Sequence, residues 1–151
     1  SQALTATSTI RLVSAKTDAA ADSFKAIDWN VDRFQYRLGS LYFPNQEVRD
    51  EGQAVESYFI AQQTYDKCKG TRYYCDNSVS LKEFKEGFGI MTVSLERDQE
   101  LNLSGLPINN SRSLELNATL TTPPTAPHEV VTFLTYAAVA KVFIDNVSTS
   151  I

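Results

Sequence analysis

Histidine is nearly absent from this chain: its 151 residues contain one, His128, in the proline-flanked run TAPHEV. Zinc hydrolase centres, cupin-like metal sites and Ser-His-Asp triads all need histidine at the reacting atom, most of them more than one. His128 therefore reads as a neutral, exposed loop residue. Cysteine is scarce too. Cys68 and Cys75 stand seven apart in CKGTRYYC, a spacing that fits neither a Cys-x-x-Cys redox pair nor a zinc knuckle. Two inert thiols is the plain reading, and a local disulfide, which requires an oxidising compartment, is the alternative. Cationic excess is missing as well, with 14 Lys+Arg against 18 Asp+Glu and a net charge of −4. Binding nucleic acid or an anionic membrane needs a clustered cationic face, so polyanions are excluded as general partners. Long apolar runs are also lacking, and none approaches the roughly 18 to 20 residues that cross a bilayer. The opening SQALTATSTI has neither the basic nor the apolar region of a signal peptide. The missing initiator Met leaves open a piece processed or excised from something longer.

What is present is a chain with 42% hydrophobic residues, long enough to hide roughly two-thirds of its unfolded surface in one core without staples. Its dominant pattern is short strands divided by polar turns. Ile10 to Val13 predicts a first strand, followed by a loop over Ser14 to Ser23. Phe34, Tyr36 and Leu38 alternate with Gln35 and Arg37, as a half-buried strand requires. That strand ends at Gly39-Ser40 and runs into LYFPN, where Pro44 removes a ladder donor and closes the element.

Between Glu51 and Lys67 the period changes, with Val55, Tyr58, Phe59, Gln62 and Tyr65 marking the apolar face of an amphipathic helix. The segment LKEF at Leu81 reads as a second short helix or turn. Alternation resumes at Met91, Val93 and Leu95 and again at Leu114, Leu116, Ala118 and Leu120, predicting two strands separated by the turn material LNLSGLPINN. The last block, VVTFLTYAAVAKVFI from Val130, is apolar on both faces and predicts one or two strands buried in the interior of a sandwich. The sum is an all-β, jelly-roll β-sandwich of about eight antiparallel strands with one helix inserted in a connection. An immunoglobulin-like sandwich competes, but a helix of this length between strands is foreign to it.

Four segments together resemble the major capsid proteins of the Polinton/Maverick elements and virophage-like viruses: LGSLYFPNQ (Leu38 to Gln46), ESYFIAQQTYDK (Glu56 to Lys67), VSLERDQELNLSGLPINNSRSLEL (Val93 to Leu116) and VVTFLTYAAVAKVFIDNV (Val130 to Val147). The resemblance covers most of residues 34–147, and LSGLPINNSRSLEL with the closing strand are its most specific parts. It implies a double jelly-roll fold, trimers of pseudo-hexagonal outline and an icosahedral shell. Residues 1–151 then correspond to one jelly-roll domain, the C-terminal half of such a protein. The implied partners are other copies of the chain, the N-terminal jelly roll of the same protein and a minor capsid (penton) protein. No cofactor, catalysis, specific nucleic acid or membrane insertion is implied, and the location is the virion. In length the chain departs from the family, because two rolls need several hundred residues.

Candidate interface residues follow from the sequence. Trp29, the one tryptophan, is either partly buried in the core or an interface anchor. Tyr73 and Tyr74, between Arg72 and Cys75, either pack within their own loop or form a stacking platform. That platform motivates the rival reading of a carbohydrate-binding jelly roll. Arg112, in NNSRSLE, is placed to pair with a carboxylate or an adjacent subunit. The pairs Asp98/Glu100 and Glu83/Glu86 have a glycosidase-like composition, but carboxylates this close in sequence usually share a solvated face. The sequons at Asn102, Asn109, Asn117 and Asn146 are expected by chance in a chain this rich in Asn, Ser and Thr.

Overall fold

A computed structural model describes residues 2–12, 26–68, 79–96, 105–108 and 112–136. Its centre is a long opening strand, β1 (Gln2–Leu12). The sequence expectation began this strand at Ile10, because Thr and Ser alternate with small residues before it and give little hydrophobic contrast. β-branched threonine nevertheless favours the pleated backbone. β1 pairs antiparallel with β4 (Met91–Ser94) and β5 (Leu106–Pro107) along one edge and with β7 (His128–Tyr136) along the other. The second sheet runs β3–β2–β6, from β2 (Val31–Leu38), β3 (Leu41–Arg49) and β6 (Leu114–Leu120), again all antiparallel.

The two sheets share one core. Ala6 and Ile10 of β1, Met91 and Val93 of β4 and Leu106 of β5 meet Val31, Phe34, Tyr36 and Leu38 of β2 and Val48 of β3. Period-two alternation on β2 puts Phe34, Tyr36 and Leu38 inward and leaves Arg33 and Arg37 exposed, and the irregularity between Val31 and Arg33 turns Val31 inward as well. Phe34 and Tyr36 pack edge to face with ring centroids 6.1 Å apart, an arrangement the ring quadrupoles favour.

Pro44 does not close an element. It lies inside β3, an edge strand, where a missing N–H costs no ladder bond. The Phe43-Pro44 peptide is cis. Here the register slips: Tyr36 faces Phe43 while Phe34 faces Val48, so two steps along β2 match five along β3. The Gln35 side-chain amide fills the gap by donating to the Pro44 carbonyl at 2.9 Å. Gly39, with φ of 61°, supplies the left-handed residue of the two-residue turn that sets Leu38 against Leu41.

The predicted helix is present as α1 (Val55–Cys68), and it packs on β4 and β3. Its buried face differs from the expected one. Ser57, Ala61 and Thr64 are buried, together with Ala54 just before the helix, whereas Val55 and Phe59 are 46% and 60% exposed. Small side chains face the sheet because they let the helix backbone approach closely. Of the expected stripe Tyr58 and Gln62 are half-buried, Val55 and Phe59 are left outside, and the side chain of Tyr65 lies outside the described residues. The start of the helix is capped from a distance. Ala54 carries no acceptor, and Asp50 at the end of β3 accepts from the backbone N–H groups of Glu56 and Ser57 at 3.0 and 3.1 Å and from the Ser57 hydroxyl. Burial pushes the Asp50 carboxyl above its ordinary range, against the opposing effect of those three donors.

LKEF forms the short helix expected, α2 (Leu81–Glu83), running into a π-helical turn over Phe84–Phe88. Ser80 and Glu83 form a capping box. Phe84 is buried and stacks on Trp29 and Tyr58, with centroids 5.3 and 5.6 Å away.

The closing strand departs most from expectation. Instead of lying in the interior, β7 pairs with β1 alone among the described residues, and much of its apolar surface is exposed. Residues 137–147 of that predicted block lie outside the described residues. His128 begins this strand and is half-buried, so it is not the exposed loop residue expected, and its Nδ1 lies 2.6 Å from the Ala126 carbonyl oxygen.

Candidate interaction surface

The outer faces of the two sheets differ in kind. On the β3–β2–β6 sheet, Arg33 reaches Asp32 and Glu47 at 3.5 and 3.8 Å, Arg49 reaches Glu47 at 3.5 Å and Arg37 reaches Glu115 at 3.7 Å. Mixed charge at this density is content in water, and each such pair adds little stability. On the β1 sheet the residues alternating with the core are Thr7 and Thr9 of β1, Thr92 of β4, and Val131, Phe133 and Thr135 of β7. The Thr7 and Thr92 hydroxyls bond to each other at 2.9 Å. Charge enters this face at one end, where Arg11 lies 3.8 Å from Glu129.

Large apolar side chains are exposed on several elements. Leu41 and Tyr42 follow the β2–β3 turn, Val55 and Phe59 lie one turn apart on α1, Leu81 and Phe88 lie on the α2 segment, and Val130, Phe133, Leu134 and Tyr136 lie on β7. The β7 group is the most concentrated. Val130 and Leu134 sit on the core face, on the rungs opposite Ile10 and Ala6. Yet they are 51% and 40% exposed, while Ile10 and Ala6 are buried. Among the described residues the facing sheet has three strands, β3–β2–β6, and the core it shares takes in Ala6 and Ile10 of β1 but no residue of β7. Phe133 is 60% exposed on the other face, so both faces of one strand present apolar surface. Patches of this kind mark contact sites.

The residues singled out from the sequence do not come together as one site. Trp29 is half-buried and joins the main core to the cluster of Ala54, Ala61 and Phe84. A Cβ at Gly89 would come within 2.2 Å of its ring, so the glycine is what admits it. Its indole N–H is buried without a partner among the described residues, beside a cavity of about 10 Å³, the size of one water. Arg112 is exposed, and its Cγ packs near Gly39 at the β2–β3 turn. Tyr73, Tyr74, Cys75, Asp98, Glu100, Asn102, Asn109 and Asn146 lie outside the described residues, as does the side chain of Cys68. Asn117 is exposed on β6. Glu83 and Glu86 are exposed, and hydrogen bonds from Ser80 hold the Glu83 carboxyl below its usual range. Glu83 is thus committed to a helix cap. The β7 surface went unrecognised in the sequence because VVTFLTY reads identically for a buried strand and an exposed edge.

Among the described residues, no three His, Cys, Asp or Glu lie close enough to hold a metal ion, and no helix is long and apolar enough to cross a membrane. No protein-family model, curated protein or solved structure matches this chain.

Proposed function

We propose that this chain is a viral structural protein that works by self-association, a jelly roll belonging to a major capsid protein of the double jelly-roll kind. The observation that carries the reading is the apolar surface of β7, exposed on both faces of a strand that among the described residues stands at a sheet edge. A protein acting alone in water gains nothing by exposing four large apolar residues on one strand, whereas closed assemblies bury such surfaces between copies. The resemblance of Val93 to Leu116 and of Val130 to Val147 to capsid sequences supports the same reading. So do the two antiparallel sheets, which a jelly roll requires.

In this reading the domain is the C-terminal roll and pairs with an N-terminal roll of the same protein. Three such pairs make a trimer of pseudo-hexagonal outline, and the trimers tile an icosahedral shell alongside a penton protein. The charged outer face of the β3–β2–β6 sheet suits a solvent-facing wall. Size-exclusion chromatography with light scattering tests the proposal. Concentration-dependent oligomers are expected, and a chain that stays monomeric at every concentration, alone and with its partner roll, overturns it.

A further inference from the structure

We propose that β7 is a pairing edge: a second copy of this chain adds its own β7 antiparallel to it, about a two-fold axis at Thr132, making one sheet continuous across two molecules. The inference rests on the self-association reading and names one of its contacts.

The first observation is the backbone. β7 is hydrogen-bonded to β1 on one side, and among the described residues nothing pairs with the other. An edge strand there presents a row of N–H and C=O groups that another strand satisfies. The second is the lack of protection. Edge strands are ordinarily blunted by lysine, proline, an inward charge or a bulge. Val130 to Tyr136 reads VVTFLTY, without charge, proline or glycine. Its register with β1 is unbroken from Thr135 to His128, and the one irregularity lies beyond, toward Tyr136.

The third observation selects the occupant. An axis at Thr132, the midpoint of the strand, pairs all nine residues of His128–Tyr136. Val130 then meets Leu134 of the other copy on the core face, and Val131 meets Phe133 on the outer face. Glu129, the strand's one carboxylate, falls opposite neutral Thr135, so no like charges oppose each other across the pair. Moving the axis by one residue sets Leu134 or Val130 against Thr132 and leaves the strand ends unpaired. The edge is therefore complementary to itself, as a two-fold contact between copies demands. A partner of unlike sequence would leave that complementarity unexplained.

Residues at the axis of an antiparallel pair face each other with Cβ atoms about 4.5 to 5.5 Å apart, close to disulfide reach. The test uses the whole chain in a C68S/C75S background. T132C is expected to oxidise to a covalent dimer at least tenfold faster than T119C, a control at an exposed site on β6. V131E and F133K are each expected to weaken dimerisation at least tenfold. The V131E/F133K double variant, which sets opposite charges across the proposed pair, is expected to recover most of the loss. Far-UV circular dichroism establishes that each variant folds, and the T132C comparison needs no charge introduced.

The proposal is overturned if T132C dimerises no faster than T119C, or if the double variant is no better than the singles. If the unmodified chain still forms oligomers in that case, self-association uses another surface. If instead it is monomeric throughout, with its own residues 137–151 or nothing on the β7 edge, the functional reading falls together with this one.

Discussion

The hydroxyl of Tyr36, at the centre of one sheet, lies 2.8 Å from the hydroxyl of Ser8, at the centre of the other. Tyr36 Oη is also 2.8 Å from the Met91 carbonyl oxygen, and Ser8 Oγ is 2.8 Å from Thr132 Oγ1 on β7. One polar chain thus crosses an apolar core and ties β2, β1, β4 and β7 together. Because buried polar groups must be paired, this chain helps fix how the sheets are placed on each other.

Removing its middle member isolates that contribution. Tyr36→Phe keeps the ring and strips the hydroxyl, leaving buried acceptors short of a partner, at a cost of about 1–3 kcal/mol at neutral pH. Chemical denaturation measures the loss. Burial holds the Tyr36 phenol well above its ordinary range. Because the folded-state value is raised, the stability this group contributes is complete below about pH 10 and declines as pH rises further. The gap between wild type and Y36F is therefore expected to narrow above about pH 10.

Asp50 offers a test at the acid end. With its carboxyl raised in the folded state, its contribution is complete below about pH 4 and declines as pH rises through the folded value. Across a pH series, wild type is expected to lose ground steadily to D50N, which keeps an acceptor for the helix N–H groups without titrating. D50A removes that acceptor and is expected to be about 1–2 kcal/mol less stable than D50N at every pH, the ordinary worth of a helix cap.

The orientation of α1 is open to the same kind of measurement. Phe59→Ser is expected to change stability by less than about 0.5 kcal/mol, as an exposed substitution should. Ala61→Leu, on the buried face, is expected to cost about 1–3 kcal/mol by overpacking. If Phe59 instead proved the costly site, α1 would be rotated from the orientation described.

Gly89→Ala places a methyl against the Trp29 ring, with the nearest ring carbon at 2.2 Å and the Phe84 carbonyl oxygen at 3.1 Å. Displacing the indole from its place between the two clusters is expected to cost about 1–3 kcal/mol. Because Trp29 is the only tryptophan, its fluorescence reports the shift directly.

Much of this arrangement follows from local chemistry alone. Alternation along β2, β4 and β6 selects their inward residues, because side chains on a strand leave by opposite faces whatever the neighbours are. The 3.6-residue period predicts α1, because that signal acts within a few residues, whereas the Ser80–Glu83 capping box of α2 emerges only in the structure. Composition alone argued against histidine-centred chemistry and cationic binding.

Other features were decided by tertiary structure. Pro44 reads as a stop, yet an edge position and the Gln35 amide let β3 continue past it. Val55 and Phe59 read as the buried stripe of α1, but the sheet accepted Ser57, Ala61 and Thr64 because a close-packed interface rewards small side chains. The cap of α1 comes from Asp50, outside the helix, because the turn after β3 brings that carboxylate back to the orphaned N–H groups. VVTFLTY has the same hydrophobicity in the middle of a sheet as at its edge. Burial is a property of what lies across from a residue, and among the described residues β7 contributes nothing to the core that the two sheets share.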